Sequence, residues 1–521
     1  MTFRSLALAA ASGLLLALSF PNIDFHLLAW IGLIPLFLAL QGQTVKNGFW
    51  LGGLSGIIFF SGTVHWVTNS VHFYGGIPLI PASLVTLLLC AYLALYPALF
   101  GAAIVHLKRH QPSLLIIAAP ALWTTLELAR TYVFSGFPWS LLGYSQYLAL
   151  PVIQISDITG VYGVSFLIVL VNAAISELII DRKQYRGIVI AALTMALVVG
   201  YGFMRLGAAE GPDAITISVV QGNIEQDKKW DPVYQSETIA VYERLTSEAL
   251  QQHPALVIWP ETAVPFYFTG NNPEDQSLTT DLSEFVEKNK TPLLFGSPTY
   301  EVKSPRTIVL HNSAFFLSGD GKILGRYHKF HLVPFGEYVP LKSVLFFVEK
   351  MVQAIGDFEP GKDYTVMTVA DGSSPSREVK FSTVICYEII FPDLVRRFVD
   401  QGAQVVTTIT NDAWFGKSAA PYQHFSMAVF RAVENRVPIA RAANTGISGF
   451  IDAKGKILAA SGIFTEAYLT KTLVPGNTKT FYTRYGDLFS YVCVFLSIVL
   501  LMPIPKKTTG YFNRKGAKTR R

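Results

Sequence analysis

The stretch VKFSTVICYEII, residues 379–390, places a cysteine near the end of an apolar run rich in β-branched and aromatic residues. Such a composition is typical of a β-strand. Pro392 follows closely, and the apolar spacing of residues 392–402 predicts a helix there. Because α/β proteins tend to build their sites where a strand ends and a helix begins, Cys386 is a candidate functional group.

The same alternation of strands and helices extends on both sides, from about residue 208 to residue 485. Other runs that predict strands are 215–224, 256–262, 292–297, 311–318, 405–411 and 438–444. Further helices are predicted at 233–252, 278–290 and 421–436. Alternation of this kind indicates an α/β layered domain in which helices cover the sheets.

The rest of the chain is far more apolar than this segment. Of its 521 residues 51% are hydrophobic and 15% are charged, whereas soluble chains average about 25% charged residues. A helix that crosses a membrane needs roughly 20 mainly apolar residues. Candidate spans are 5–21, 25–42, 47–68, 83–106, 113–130, 161–180, 187–206 and 487–505. A cleaved signal peptide is the alternative for the first, although no small-x-small site ends it before Pro21.

These spans predict a multi-pass α-helical membrane protein with an inserted α/β domain. Seven spans form a bundle at 1–207, the α/β domain occupies 208–485, and one span with a basic tail occupies 486–521. The short loops on one side contain Arg4, Lys46, Lys108, Arg109, Arg182, Lys183 and Arg186. Since basic loops stay in the cytoplasm, both termini are expected inside and the α/β domain outside.

The net charge of +6 comes mainly from the tail. The last sixteen residues contain Lys506, Lys507, Arg514, Lys515, Lys518, Arg520 and Arg521. A nucleic-acid-binding protein would need a basic face on a folded module, so nucleic acid is not an expected partner. The histidines lack metal-site spacing such as H-E-x-x-H, and neither a metal nor an organic cofactor is expected.

Two cysteines and two glutamates lie in or near the apolar spans. Cys90 and Cys493 are expected to be small core residues, which leaves Cys386 without a disulfide partner. Glu127 and Glu177 are carboxylates within or near predicted spans. Intramembrane carboxylates are candidates for function, but helix packing or interfacial placement is the expectation here, and their roles stay open.

A glutamate and a lysine stand at other element ends of the α/β domain. Glu261 ends an apolar strand, and Lys329 lies in an aromatic, proline-containing loop at 327–337. A thiolate is the reactive form of cysteine, and a neighbouring base or cation raises its fraction near neutral pH. Glu261 can take the thiol proton, and Lys329 can stabilise first the thiolate and then an oxyanion.

Other interpretations of these three residues stay open on the residues alone. A cysteine at a strand end is often part of the core, a glutamate there is often a cap, and a loop lysine is often solvated. A papain-like pair of cysteine and histidine is a further alternative. The histidines available for such a pair are His311, His328, His331 and His424.

Three motifs together resemble the nitrilase superfamily, whose members carry a Glu–Lys–Cys triad on an α-β-β-α sandwich. They are Trp259-Pro260-Glu261-Thr262, His328-Lys329 and Ile385-Cys386-Tyr387-Glu388. The chain is similar, over nearly its whole length, to the membrane-embedded branch of apolipoprotein N-acyltransferases. Further similar elements are Gln221-Gly222-Asn223-Ile224 leading to Trp230, HLVPFGEYVP at 331–340, and Asn411-Asp412-Ala413-Trp414-Phe415-Gly416.

This resemblance implies a role for each matching residue. It makes Cys386 the nucleophile, Glu261 the base and Lys329 the partner of the thiolate and the oxyanion. Glu337 would support Lys329 or the leaving group. The weaker candidates, for supporting or substrate-contact roles, are Trp230, Tyr387, Glu388 and Asn411.

The implied reaction is a ping-pong acyl transfer, the last step of lipoprotein maturation, in the bacterial inner membrane with the catalytic domain on the periplasmic side. Cys386 would attack the sn-1 ester of a phospholipid such as phosphatidylethanolamine and keep the acyl chain as a thioester. The α-amine of an S-diacylglyceryl-cysteine apolipoprotein would then take the chain. The implied partners are therefore a phospholipid, a diacylglyceryl apolipoprotein and the bilayer.

Two other classes of function compete with this one. A membrane-tethered amidase would use the same thioester but would let water attack it; eight spans argue against it, because a soluble substrate needs no such anchor. A transporter would show paired halves with broken helices and midplane charges, and this sequence has no paired halves.

Three apolar loops near the motifs are candidates for a lid over an acyl groove. They are Phe266-Tyr267-Phe268, Val344-Leu345-Phe346-Phe347-Val348 and Trp414-Phe415. Exposed apolar patches usually mark ligand or membrane contact. The alternative is that these side chains pack inside the sandwich.

Overall fold

The computed structural model of the chain describes residues 1–209, 211–304, 307–338, 358–372 and 377–502. Its N-terminal region is helical. The helices there are α1 (Phe3–Leu18), α2 (Ala29–Gly32), α3 (Ile34–Ala39), α4 (Val45–Val64), α5 (Val67–Asn69), α6 (Leu79–His110), α7 (Leu115–Tyr132), α8 (Leu150–Ile153), α9 (Ser156–Thr159), α10 (Val161–Ile180) and α11 (Tyr185–Leu206).

Four helical segments within the described ranges are long and apolar enough to cross a membrane. They are Leu79–His110, Pro112–Ser135, Val161–Ile180 and Tyr185–Leu206. A fifth is added if Val45–Val64 and Val67–Tyr74, which are bent by 59° at their junction, count as one span. The other predicted crossings correspond to shorter apolar helices, Phe3–Leu18, His26–Ala39 and Leu488–Leu501. The eight-span count therefore stays a prediction.

The predicted span at 25–42 corresponds to the short apolar helix His26–Ala39, which is interrupted within its length. The chain forms a short 3-10 turn and then α2 and α3, which are separated at Leu33. Pro35 has no N–H for the helix ladder, and Asn172 of α10 satisfies the backbone at the break. Its Oδ1 accepts from the Leu33 N–H at 2.8 Å, and its Nδ2 donates to the Ala29 carbonyl at 2.9 Å.

The segment after the N-terminal helices contains the strands. They are β1 (Ile215–Gln221), β2 (Leu256–Ile258), β3 (Leu293–Ser304), β4 (Thr307–Leu317), β5 (Ile323–His328), β6 (Met367–Ala370), β7 (Glu378–Ile385), β8 (Val405–Thr410), β9 (Ile439–Ala443), β10 (Gly449–Ile451), β11 (Ile457–Ala460) and β12 (Ala467–Leu473). All seven predicted strands are confirmed in position. β5, β6 and β10 to β12 were not predicted.

The helices of this segment alternate with its strands. They are α12 (Gln226–Lys229), α13 (Gln235–Ala249), α14 (Pro273–Asn289), α15 (Pro392–Asp400) and α16 (Ala420–Asn435), followed by α17 (Phe481–Tyr485) and α18 (Leu488–Leu501). The four predicted helices coincide with α13 to α16 within a few residues. The alternation of the sequence thus predicted the layered α/β class correctly.

The described strands form two six-stranded sheets. One has the order β12-β1-β2-β3-β4-β5 and the other the order β11-β10-β9-β8-β7-β6. In each sheet three neighbouring strands are parallel, β1–β2–β3 in the first and β7–β8–β9 in the second. The remaining pairs are antiparallel.

The two sheets pack face to face. Successive side chains of a strand point to opposite faces of its sheet, so each strand contributes to the core between the sheets and to the core under the helices. Leu256 and Ile258 of β2 lie in a core that also contains Phe381 of β7. Val257 between them lies in a separate core with Tyr242 of α13 and with residues of α14. Helices α15 and α16 contact the second sheet. The result is an α-β-β-α sandwich.

Helix α16 joins this sandwich to the N-terminal helices. The Glu434 carboxylate accepts from the Val161 N–H at the start of α10, at 3.0 Å. Arg431 donates to the Tyr144 hydroxyl at 2.9 Å, and Arg436 donates to Asp157 at 2.8 Å. Buried ionic and polar groups of this kind require matched partners. Here those partners come from the N-terminal region, so the two parts form one packed unit along α16.

Candidate active site

Four of the candidate residues follow strands that end at one edge of the sandwich. Glu261 lies three residues after β2, Lys329 directly follows β5, Cys386 directly follows β7, and Asn411 directly follows β8. Because β7 and β8 are parallel neighbours, their carboxyl ends lie side by side. The fold therefore brings together residues that are up to 150 positions apart in the sequence.

Cys386 occupies a strained turn between β7 and α15. Its φ is +53°, in the left-handed region that residues other than glycine seldom adopt. It begins a 3-10 turn, Cys386–Ile390, and it is 7% exposed. Its carbonyl oxygen lies 3.1 Å from Nε2 of His424. Strain of this kind is concentrated at functional sites, where the surrounding structure maintains it.

The Glu261 carboxylate is held by amide donors at both oxygens. Its Oε1 accepts from Nδ2 of Asn312 at 2.7 Å, and its Oε2 accepts from the main-chain N–H of Asn411 at 2.8 Å. These bonds fix the carboxylate without neutralising it. Glu261 is therefore a buried proton acceptor with a fixed orientation, not a solvated turn residue.

Lys329 lies between two carboxylates. Its Nζ is 2.9 Å from Oε1 of Glu337 and 3.7 Å from Oε1 of Glu261. Nδ2 of Asn312 also donates to Glu337, at 2.8 Å, and the Val333 N–H donates to its other oxygen. At 1% exposure Lys329 is not a solvated loop residue. The resemblance implied that Glu337 supports Lys329 or the leaving group, and in the structure its carboxylate contacts Lys329.

The charges of this site determine which protons are bound at rest. Burial lowers the pKa of Lys329, but the carboxylates of Glu337 and Glu261 outweigh burial and raise it, so the amine stays protonated. Burial, together with the charge of Glu261, raises the pKa of the Cys386 thiol well above its usual range, against the pull of Lys329. Lys329 favours the thiolate, as expected, but burial and Glu261 outweigh its effect. The thiol is neutral, and its proton must move to a base during reaction.

Glu388 connects the cysteine turn to the lysine loop. Its Oε2 accepts from the Ile385 N–H at 2.7 Å, and its Oε1 accepts from the N–H groups of Phe330 at 2.6 Å and His331 at 3.0 Å. The Tyr327 hydroxyl donates to the same oxygen at 2.7 Å. Burial raises the pKa of Glu388 to about 7, with these bonds opposing the rise. Its contacts are those of a positioning residue.

The remaining predicted residues lie around this centre. Nδ2 of Asn411 donates to Gln226 at 2.7 Å, so Asn411 connects α12 to the base. The Tyr387 hydroxyl donates to the Gly136 carbonyl of the N-terminal region at 3.3 Å. Trp230 directly follows α12 and is 42% exposed, and its contact with substrate stays a prediction.

The structure does not assemble the alternative pair of cysteine and histidine. His424 contacts the main-chain oxygen of Cys386, and its Nδ1 lies 3.1 Å from Asp412. His311 contacts the carbonyl of Glu359, and His328 contacts Ser313. The ring of His331 lies against Phe391. Histidine therefore shapes the surroundings of the site, while the glutamate and the lysine face its centre.

Two residues of the site were not found from the sequence. Asn312, on β4, bridges Glu261 and Glu337, as described above. Lys229, on α12, is 1% exposed and donates to the Glu261 carbonyl at 2.8 Å. In the sequence Lys229 is one of two adjacent lysines beside a tryptophan, a pattern that gives no sign of which side chain is buried.

The loop after β8 contacts the N-terminal helices beside the site. The Ser70 hydroxyl donates to the Trp414 carbonyl at 2.7 Å, and the Tyr74 hydroxyl donates to the Ala413 carbonyl at 2.9 Å. The Phe415 ring packs on Trp66, with centroids 4.7 Å apart. Apolar helices of the membrane type therefore lie directly against the loop that holds Glu261.

The three predicted lid loops have different outcomes. Phe266 and Phe268 are buried in the core between the first sheet and its helices, so that loop is no lid. Trp414 packs against Tyr74, which makes the loop after β8 a docking surface. Residues 344–348 lie outside the described ranges, and their role as a lid stays a prediction.

The two glutamates near the membrane helices have packing contacts. Oε1 of Glu127 accepts from Nε1 of Trp123 at 2.9 Å and from the Leu142 N–H at 2.7 Å. Glu177, on α10, lies within electrostatic reach of Lys108 on α6. Both arrangements favour the expected packing roles. The described part of the chain contains no group of three or more His, Cys, Asp or Glu side chains arranged to hold a metal ion.

Comparison with known proteins covers both parts of the chain. Residues 12–174 match the family model of the apolipoprotein N-acyltransferase N-terminal domain, and residues 216–481 match that of carbon-nitrogen hydrolase. The chain is 43% identical to an apolipoprotein N-acyltransferase of Geobacter metallireducens, over 94% of this chain and 93% of the relative. It is 34% identical to that of Haemophilus influenzae, over 95% and 93%.

Two of the solved structures that are similar to this chain cover about half of it. An amidase from Nesterenkonia sp. AN1, with an acetamide moiety on its active-site cysteine, is 19% identical over 51% of this chain and 94% of its own, with a TM-score of 0.37. A Saccharomyces cerevisiae member of branch 10 of the nitrilase superfamily is 20% identical over 57% and 97%, with a TM-score of 0.38.

Proposed function

The chain belongs to the apolipoprotein N-acyltransferase family, and on that premise we propose that Cys386 carries an acyl group from a phospholipid to the N-terminal amine of a lipoprotein. The protein is an acyltransferase with a nitrilase-like domain, and its family performs the last step of lipoprotein maturation. The observation that carries the assignment of residues is the buried cluster of Glu261, Lys329 and Glu337 beside Cys386.

The first half-reaction forms the thioester. Glu261 takes the proton of the neutral Cys386 thiol as its sulfur attacks the ester carbonyl of the donor. The ammonium of Lys329 stabilises the oxyanion of the tetrahedral intermediate. When the carbon–oxygen bond breaks, Glu261 returns its proton to the departing alkoxide, and a lysophospholipid leaves. We take the sn-1 chain of a lipid such as phosphatidylethanolamine as the donor group.

The second half-reaction consumes the thioester. The neutral α-amine of an S-diacylglyceryl-cysteine apolipoprotein attacks the thioester carbonyl, and Glu261 takes a proton from that nitrogen. The carbon–sulfur bond then breaks, an amide is released, and the proton returns to sulfur. Water could attack the thioester in the same way. Because the surroundings of Cys386 leave it only 7% exposed, access of water is limited and transfer to the amine is favoured over hydrolysis.

Both substrates keep their acyl chains in a bilayer, and this proposal requires access to the thiol from that side. Cys386 is 7% exposed, so the loops around it must move before a lipid ester reaches the sulfur. The contacts of Ser70 and Tyr74 with the loop after β8 place apolar helices against the site. Their position supports entry of lipid from the membrane rather than from water.

We also propose the topology predicted from the loops. It has eight crossings, with both termini in the cytoplasm and the domain of residues 208–485 on the periplasmic side. The placement of lysine and arginine in the short loops supports it. The test is labelling of single cysteines with a membrane-impermeant maleimide in intact cells and after lysis, at Arg182 and at Asn271. Labelling of Arg182→Cys in intact spheroplasts would overturn this orientation.

The decisive experiment on function is mass spectrometry of the purified full chain incubated with phospholipid vesicles. An acyl adduct is expected on Cys386, and an amine-bearing diacylglyceryl lipopeptide should discharge it with formation of an amide. Cys386→Ala should carry no adduct, whereas Cys90→Ala, which changes a buried cysteine of α6, should carry it normally. Discharge by water at the same rate without lipopeptide would instead favour the amidase. An adduct that persists in Cys386→Ala would refute the assignment of the nucleophile.

A further inference from the structure

Lys229 is a second buried lysine at the site, and the catalytic scheme above does not use it. It ends the short helix α12, is 1% exposed, and donates from Nζ to the main-chain carbonyl of Glu261 at 2.8 Å. Its neighbour Lys228 is exposed and pairs with Glu225 at 3.2 Å. The two lysines are adjacent in the sequence and yet have opposite surroundings.

Helix α12 is attached to the site at both of its ends. Gln226 accepts a hydrogen bond from Nδ2 of Asn411 at 2.7 Å, and Lys229, three residues later on the same face, bonds to Glu261. Asn411 itself donates its main-chain N–H to the Glu261 carboxylate. Helix α12 therefore contacts both the main chain of the base and the residue that orients its carboxylate.

Lys229 adds positive charge to a site in which Glu388 also acts on Lys329, and Asp412, which is paired with Arg441, acts on Cys386. Glu261 and Glu337 carry two negative charges, and Lys329 carries one positive charge between them. Lys229 lies within electrostatic reach of Glu261 and of Cys386, and it supplies the second positive charge. The other charged groups of its own segment are Glu225, Asp227 and Lys228, which are exposed to water. A buried site with an unbalanced charge is strongly disfavoured.

We propose that Lys229 is a positioning residue that holds the main chain of Glu261 and offsets the negative charge of the buried site around Cys386. This inference rests on the proposed role of Glu261 as base. Without this ammonium, the negative charge that develops on the Cys386 sulfur would be less well stabilised, and the thiolate would form less readily. Burial lowers the pKa of Lys229 to about 8, with Glu261 and Cys386 opposing the effect, so it remains mainly charged near neutral pH.

The test compares Lys229→Met, which removes the charge, with Lys229→Arg, which keeps it, in the full-length protein. The matched control is Lys228→Met on the exposed side of α12. The readout is the rate at which iodoacetamide alkylates Cys386 between pH 5 and pH 10, alongside the pH profile of acyl transfer. For Lys229→Met we expect alkylation to fall about tenfold at neutral pH and the acid limb of the transfer profile to move up by about one pH unit. Lys229→Arg and Lys228→Met should keep the wild-type profiles.

Lys229→Gln separates the charge from the hydrogen bond, since its amide can still donate to the Glu261 carbonyl. Lys229→Gln should shift the pH profiles of Cys386 alkylation and of acyl transfer as Lys229→Met does. If Lys229→Met fails to fold, the glutamine variant provides the test. Wild-type profiles in the uncharged variants, or a loss that is uniform across pH and is not rescued by Lys229→Arg, would overturn the inference. Alkylation needs no lipid, so a wild-type protein that alkylates normally but forms no acyl adduct would refute the proposed function separately.

Discussion

The main-chain N–H of Phe330 donates a hydrogen bond of 2.6 Å to the Glu388 carboxylate, which fixes the lysine loop to the cysteine turn. In Glu388→Gln one of the two carboxylate oxygens becomes an NH₂ group that faces an N–H donor. We expect a loss of about 2–4 kcal/mol of stability, from an unpaired buried group, and slower acyl transfer. Thermal unfolding in detergent and initial rates measure the two effects. Glu378→Gln, at the exposed start of β7, should be neutral in both.

Replacement of the base should separate chemistry from folding. Glu261→Gln keeps an oxygen for the Asn312 amide but can no longer accept a proton from sulfur. Acyl transfer should fall by about 10²–10⁴-fold, the usual worth of a general base, whereas stability should fall by only about 1–3 kcal/mol, because the new NH₂ group faces the Asn411 N–H. Near-normal turnover would reduce Glu261 to a structural cap at the end of β2.

The lysine of the loop should be required even when the thiol is intact. Lys329→Met removes the cation that faces the oxyanion, and we expect the rate of acylation to fall by about 10²–10³-fold. Single-turnover formation of the thioester measures this step directly. Lys303→Met, which changes an exposed lysine of β3, is the matched control. If both variants acylate alike, the role proposed for Lys329 is wrong.

Asn312 should matter although it has no reactive group. Its amide donates to both Glu261 and Glu337, so Asn312→Ala leaves two buried oxygens short of a donor. We expect a loss of about 1–3 kcal/mol of stability and about tenfold slower transfer. The exposed Asn271→Ala provides the comparison. A stable, fully active Asn312→Ala enzyme would contradict the description of Asn312 as the bridge between the two carboxylates.

His331 should contribute to acid sensitivity. Burial, with Lys329 nearby, lowers its pKa to about 4. The folded state therefore binds this proton less readily than the unfolded state, whose pKa is about 6.5. The stability due to neutral His331 is complete above pH 6.5 and is lost as the pH falls through 4. His331→Gln should flatten the decline of stability between these values, whereas His110→Gln, at the exposed end of α6, should not.

The sequence predicted the parts of the fold that repeat regularly. The strands at β1 and at β7 to β9 are β-branched or apolar at most positions and largely buried, and α13 to α16 have a regular apolar spacing. The unpredicted strands have weaker patterns. β5 contains Gly325 and Arg326, and β12 contains Lys471 on a half-exposed face. Pairing with a neighbouring strand, which the sequence does not display, makes these segments strands.

Some residues of the candidate site could be predicted from the sequence and others could not. Cys386, Glu261 and Lys329 stand in recognisable motifs at element ends, so pattern and chemistry together located them. Asn312 lies within a strand and Lys229 beside an exposed lysine, and only the folded chain brings them to the base. The segment 25–42 gives no sign of its interruption in the sequence, because hydropathy does not reveal a break such as the one at Leu33, where Asn172 bonds to the backbone.

Helix α16 bears on whether this enzyme can be reduced to a water-soluble fragment. Of its sixteen residues all but Tyr422 are buried, and its polar side chains Arg431 and Glu434 have partners in the N-terminal region. An excised sandwich would keep the ion pair between Arg431 and Glu434 but would remove its partners Tyr144 and Val161 and expose the apolar surface around it. Truncation should therefore yield an aggregating product. A water-soluble fragment would need a redesigned α16, with charged residues on the face that now contacts the N-terminal helices.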